Sequence, residues 1–122
     1  MSTIVVVGAS LAGGRCVEQL RRRGFEGRIQ LVGAEAPRPY DRPPLSKKYL
    51  RGQMDEEKLY LRPLDFYAEK DVELVLGANA TGLSCAAREV TLDDGRALAW
   101  DQLVIATGAN VRRLRVPGAE LE

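Results

Sequence analysis

The stretch from Ile4 to Glu35 constrains the fold more than any other part of the chain. Ile4 to Val7 is an unbroken apolar, β-branched run. Such a run suits a strand covered on both faces in a parallel sheet. Gly8-Ala9-Ser10-Leu11-Ala12-Gly13-Gly14 follows at once. The next residues segregate with helical spacing: Cys16, Val17 and Leu20 fall on one face, and Arg15, Glu18, Arg21 and Arg22 on the other. Arg21, Arg22 and Arg23 sit where cations favour the helix dipole, and Gly24 is a natural stop. This arginine run reads as a solvated helix end, with a docking patch for an acidic partner as the alternative. Ile29 to Val32 is a second apolar run. Strand, helix and strand in this length make a βαβ unit, with the right-handed crossover expected.

The rest of the chain is more broken. Arg38 to Lys47 reads Arg-Pro-Tyr-Asp-Arg-Pro-Pro-Leu-Ser-Lys. Its three prolines exclude an ordinary helix or a central strand and leave a stiff, extended lead-in. Leu45 to Leu50 is expected to form one or two helical turns. Asp55, Glu56 and Glu57 open another short helix. Leu64 to Lys70 follows, with Pro63 near its start. Val72 to Leu76 resumes strand character. From Ala78 to Trp100 short strands alternate with turns, and Asp93-Asp94-Gly95-Arg96 is a hairpin turn between Glu89–Leu92 and Ala97–Trp100. Leu103 to Ala106 is a last apolar strand, ended by Thr107 and Gly108.

Three of these segments carry chemistry. Gly8-x-Ser10-x-x-Gly13 approximates the G-x-G-x-x-G turn, with Ser10 at the middle glycine. Gly8 allows the tight turn, Gly13 allows close helix–strand packing, and the helix-start N–H groups suit a pyrophosphate. Glu35, at the end of the second strand, stands where a carboxylate accepts from ribose hydroxyls. The bland reading of this pattern is a structural turn and an exposed acid. For Arg38 to Lys47 the bland reading is a solvated loop with an Asp41–Arg42 ion pair, worth about 0–1 kcal/mol. The functional one places Lys47 as a fixed charge beside an electron-accepting ligand. Ala106-Thr107-Gly108 ends a strand at the carboxyl edge of the sheet, where open α/β sheets bind ligands; a plain turn is the alternative.

Composition narrows the classes. At 122 residues the chain is one domain at most, and its 45% hydrophobic content is enough for a core. With 18 basic and 17 acidic residues the net charge is +1, so nothing points to nucleic acid or an anionic membrane surface. No run approaches membrane-spanning length, and the first residues lack signal-peptide character. Cys16 and Cys85 form no CxxC pair and read as small buried hydrophobes; a reducing, cytoplasmic setting is expected. The chain has no histidine, which removes the usual general base and zinc ligand. Trp100 reads as a packing residue rather than a stacking platform.

Taken together, Gly8–Gly13, Glu35, Arg38–Lys47, Leu59–Arg62 and Ala106–Gly108 resemble the N-terminal part of FAD-dependent, NADH-dependent ferredoxin reductases. That group feeds rubredoxin, putidaredoxin and dioxygenase ferredoxins, and has the glutathione-reductase type of fold. The Tyr40–Lys47 and Leu59–Arg62 motifs carry the resemblance to this subgroup; the Gly turn alone does not. The resemblance implies an α/β, Rossmann-like, three-layer FAD-binding fold, with a parallel sheet and a small antiparallel β-meander. It also implies FAD in extended form. Gly8, Ser10, Leu11, Ala12 and Gly13 would cradle the pyrophosphate, and Glu35 would hold the adenosine ribose. Arg42 and Lys47 would lie toward the flavin, Ala80 would meet the adenine side, and Ala106, Thr107 and Gly108 would pass beside the dinucleotide. No residue of the chain is expected to be catalytic by itself, and no metal is expected.

Members of that family are several times longer, with an NADH-binding domain and a C-terminal interface domain. The chain is therefore expected to be the FAD-binding part, residues 1–122, of a truncated molecule. Alone it is expected to be inactive toward NADH and a ferredoxin or rubredoxin-type acceptor, and prone to self-association through apolar surface. Two alternatives stand beside this reading. One is a flavin-dependent disulfide or coenzyme A-disulfide reductase, which would need a cysteine near the flavin. The other is a nucleotide-binding module without redox activity, such as a relative of apoptosis-inducing factor.

Overall fold

The computed structural model describes residues 1–121; Glu122, the last residue of the expected 1–122 unit, lies outside the described residues. Strand β1 spans Thr3–Val7, helix α1 Leu11–Arg22 and strand β2 Arg28–Gly33. Helix α2 spans Leu64–Glu69, β3 Val72–Leu76, β4 Ala80–Ser84, β5 Glu89–Leu92, β6 Ala97–Ala99 and β7 Gln102–Ile105. The parallel strands run in the order β3-β2-β1-β7, and β4-β5-β6 form a separate antiparallel meander.

The alternation of side chains across each strand builds two cores. Ile4 and Val6 of β1, Ile29 and Leu31 of β2 and Val72 of β3 pack with Val17 of α1 and Tyr67 of α2. Val5, Val7, Val32 and Val75 point the other way and pack with Val90 and Leu92 of the meander. The result is three layers: helices, parallel sheet, antiparallel sheet. It agrees with the expected fold class. Burying each Val, Leu or Ile side chain contributes about 1.5–3 kcal/mol. Gln30 is the buried polar exception, and its amide donates to Glu73 at 3.2 Å.

The register positions the site. Val7 lies level with Val32 on one side and Ile105 on the other, so three strands end at one edge. The Gly8 N–H donates to the Val32 carbonyl at 2.8 Å, and the Ala106 N–H to the Val7 carbonyl at 2.7 Å. The turns that follow these strands therefore leave the sheet side by side.

Several local expectations meet the structure here, some as made and some corrected. The expected helix over Leu45–Leu50 starts earlier, as a 3-10 turn over Pro43–Ser46, because Pro43 and Pro44 preset its first φ angles. Further turns carry the chain to Gly52. A second 3-10 turn covers Glu56–Leu59, after Asp55. Arg21 is not a solvated helix-end charge. Its guanidinium donates to the carbonyls of Phe25, Gly27, Lys70 and Asp71 at 2.7–2.8 Å, which joins the end of α1 to the end of α2. Cys85 is exposed in the turn after β4 rather than buried, and Cys16 is half-buried. Trp100 packs against the meander-side core, with its indole N–H buried and unpartnered. Among the described residues no helix is long and apolar enough to cross a membrane.

Candidate functional site

A cleft of about 320 Å³ opens at the carboxyl ends of β1, β2 and β7. That volume lies at the low end for a small-molecule site. Its walls come from the segments that follow the parallel strands: Gly8 to Ser10, Gly33 to Glu35, Ala78 to Ala80, and Ala106 with Thr107.

The β1–α1 turn is built from backbone contact. Gly8 has φ +115°, and a Cβ there would stand 2.1 Å from the Ala106 carbonyl oxygen. A Cβ at Gly13 would stand 1.7 Å from the Gly8 carbonyl oxygen. No side chain at either position fits without moving main chain. The packing draws the start of α1 down onto the sheet edge. Ser10 is the N-cap in extended conformation, its side chain makes no capping bond, and the first turn carries no acidic residue. Leu11 and Ala12 are exposed beside it. The helix thus presents an uncapped, electropositive end to the cleft, which suits an anion.

Glu35 stands at the opposite wall. Its carboxylate accepts from the Tyr40 hydroxyl at 2.7 Å on Oε2 and from Arg42 at 2.8 Å on Oε1. The bond to Glu35, followed by partial burial, raises the Tyr40 pKa above the ordinary phenol value, so the hydroxyl stays protonated and donates. The Asp41–Arg42 pair of the solvated-loop alternative does not form among the described residues; Arg42 pairs with Glu35 instead. Arg42 and Glu35 therefore stand together on the same wall of the cleft.

The Pro-rich segment is held from outside the cleft. The Asp41 N–H donates to the Leu59 carbonyl at 2.8 Å, and the Leu61 N–H to the Pro39 carbonyl at 3.1 Å. Tyr40 and Tyr60 form an antiparallel bridge. Arg38 pairs with Glu57 at 2.7 Å and lies 3.6 Å over the Tyr60 ring. Arg62 pairs with Glu18 of α1. Arg62 and then Arg15 hold the Glu18 carboxyl down at a pKa of about 2.

Of the sequence-predicted residues, the fold brings Gly8, Ser10, Glu35, Arg42, Ala80, Ala106 and Thr107 to one cleft. Gly13 lies buried beneath it, and Leu11 and Ala12 form the helix turn at its edge. Gly108, with φ +70°, turns the chain one residue past the wall. Lys47 is set apart: it is exposed, and among the described residues its ammonium reaches only the Pro43 carbonyl at 3.4 Å. Sequence reasoning missed Tyr40, Asn79 and Asn110, which also line the cleft. Asn79 carried a readable signal, since it lies in the short turn after a parallel strand.

Neither thiol reaches the cleft. Burial raises the Cys16 pKa and disfavours its thiolate. Cys85 lies at the far end of β4 from Ala80, roughly 16 Å along an extended strand. The far edge of β7 is unpaired among the described residues. Ile105 is 64% exposed there, and Leu83 and Leu103 line an adjacent apolar groove.

Comparison with known proteins places this geometry. Residues 2–122 match the family model described as pyridine nucleotide-disulphide oxidoreductase. The chain is 42% identical over 118 residues to the ferredoxin reductase component of chlorobenzene dioxygenase from Cupriavidus sp. (strain PS12), covering 97% of this chain and 28% of the relative. It is 45% identical over 113 residues to putidaredoxin reductase CamA of Pseudomonas putida, covering 93% and 27%. Among solved structures it superposes with a TM-score of 0.92 and 44% identity on the covalent putidaredoxin reductase–putidaredoxin complex, covering 96% of this chain and 28% of that one. The chain thus spans under a third of the length of the relatives it matches.

Proposed function

Because the chain belongs to the pyridine nucleotide-disulphide oxidoreductase family, we propose that it is the FAD-binding part of a flavoprotein reductase. The complete molecule takes reducing equivalents from NADH and passes them to a ferredoxin or rubredoxin-type carrier. One observation carries the reading. The uncapped start of α1, the Glu35 carboxylate and the Ala106–Thr107 strand end meet in a single cleft at the carboxyl edge of a parallel sheet. That is the placement a dinucleotide needs.

The residues present fit the ligand. A Cβ at Gly8 or Gly13 would collide with main chain, so the turn is kept to backbone and can approach a pyrophosphate closely. The helix-start N–H groups donate to it, and the Ser10 hydroxyl adds a donor. Glu35 accepts from the adenosine ribose, because each carboxylate oxygen keeps an acceptor site besides its bond to Tyr40 or Arg42. Ala80, Ala106, Thr107 and Gly108 supply backbone along the ligand. In this reading Lys47, which stands apart from the cleft on a lead-in stiffened by Pro43 and Pro44, would face the flavin half of the ligand. The chemistry supplied by bound FAD is conversion of a two-electron hydride donation into single-electron transfers.

In this reading the nicotinamide site and the carrier's docking surface fall in the length that the relatives have beyond this match. The chain alone accordingly binds FAD and transfers nothing. Titrating the purified chain with FAD tests the first statement: a saturable change in flavin fluorescence and a higher melting temperature are expected, and neither appearing would overturn it. NADH-driven reduction of a ferredoxin by the chain alone would overturn the second. With Cys16 disfavoured as a thiolate and Cys85 remote, no geometry here supports disulfide reduction.

A further inference from the structure

We propose that Tyr40 is a positioning residue that aims the Glu35 carboxylate at the adenosine ribose. This rests on the reading of the cleft as an FAD site. Glu35 lies two residues past the end of β2 with its side chain 49% exposed, so by itself it would sample several rotamers. Tyr40 and Arg42 hold its two oxygens from the same segment. They are not equivalent. Arg42 is a long side chain, 59% exposed, and its pair with Glu35 is screened by water. Tyr40 is half-buried and rigid, with a single donor proton committed to Oε2.

Tyr40 is itself held. Its backbone bridges Tyr60, and the flanking Pro39 and Asp41 bond to Leu61 and Leu59. Arg38 lies over the Tyr60 ring, and Arg62 ties the same strap to Glu18 of α1. The Leu59–Arg62 motif thus acquires a purpose: it is the strap that fixes Tyr40, which fixes Glu35. Both carboxylate oxygens keep an open acceptor site for a vicinal diol.

The test is FAD affinity, read by flavin fluorescence on the whole chain, for Tyr40→Phe, Glu35→Ala and the double variant. Tyr40→Phe is expected to weaken FAD binding by about three- to tenfold, less than the loss of a whole bond to a charged group, because Arg42 still holds the other carboxylate oxygen. In the Glu35→Ala background the same change is expected to have no effect, because Tyr40 acts only through that carboxylate. The FAD-free melting temperature of Tyr40→Phe is expected to match the parent. Equal losses in both backgrounds, or a large fall in melting temperature, would make Tyr40 a structural residue and overturn the proposal. Unchanged FAD affinity in Tyr40→Phe would overturn it too, while leaving the FAD site standing. Failure of the parent chain to bind FAD would remove both.

Discussion

At its N-terminal end α1 follows Ser10 with no side-chain cap, no acidic residue in the first turn, and a cleft in front of it. At its C-terminal end the same helix is sealed. The N–H groups of Arg23, Gly24 and Phe25 turn back onto the carbonyls of Gln19, Arg21 and Leu20. The Arg21 guanidinium then closes four further carbonyls in the turns beyond α1 and α2. Both ends of an isolated helix leave groups unsatisfied. Closing the Gln19, Leu20 and Arg21 carbonyls at one end while leaving the other end bare costs stability at the bare end unless a ligand supplies the partner. In the proposed reading the bare end serves binding and the closed end serves the fold.

The comparison can be broken most severely at Gly13. Gly13→Ala sets a methyl 1.7 Å from the Gly8 carbonyl oxygen, and neither main chain can give way locally. A loss of about 3 kcal/mol or more is expected in urea unfolding, beyond ordinary overpacking. An unfolding midpoint equal to the parent's would show that the turn is loose. At the sealed end, Arg21→Met is expected to cost about 2–3 kcal/mol, because it strips hydrogen bonds from partly buried carbonyls. FAD affinity corrected for that lost stability should stay unchanged. If affinity falls instead, the two ends are not separable.

Glu35→Ala sharpens the other side of the contrast. FAD binding is expected to weaken about tenfold, with the FAD-free melting temperature unmoved. Intact retention would mean that another group holds the ribose.

The middle of α1 gives a pH test. Glu18 titrates at about 2 in the fold against an ordinary value of 4.5, held down first by its bond to Arg62 and then by Arg15. Its folded pKa is depressed, so the ionised carboxylate contributes stability above the ordinary value. That contribution is lost as pH falls from about 4.5 toward about 2. Acid unfolding curves of the parent and Glu18→Gln should therefore converge at the acid end of this window; parallel curves would refute it. The smallest effect is expected from Lys47→Met. Its ammonium touches one carbonyl at 3.4 Å, and the unfolding midpoint should shift by less than about 0.5 kcal/mol. A larger change would mean that Lys47 supports the Pro-rich segment.

Much of the fold is legible in local pattern. The apolar runs at Ile4–Val7 and Ile29–Val32, the glycines between them and the Asp93–Arg96 turn specify strands and connections through sterics that involve only near neighbours. The three layers follow, because β1 alternates between two apolar faces and each needs a cover. The cleft was legible through Gly8, Glu35 and Thr107, which simply follow strand ends. Tyr40 was not legible, since nothing in a tyrosine between Pro39 and Asp41 says which carboxylate it will meet.

The sequence by itself determined the βαβ unit, the backbone-only turn and the edge at which a ligand would sit. These depend on side-chain periodicity and on the volume of a missing Cβ, both of which are local. Only the tertiary structure decided the partners of the charged side chains. Arg21 finds Lys70 and Asp71, Glu18 finds Arg62, and Arg42 turns from Asp41 to Glu35. A long cation can satisfy itself on any acceptor within reach. Which one it takes is set by where distant segments cross, and no local pattern carries that information.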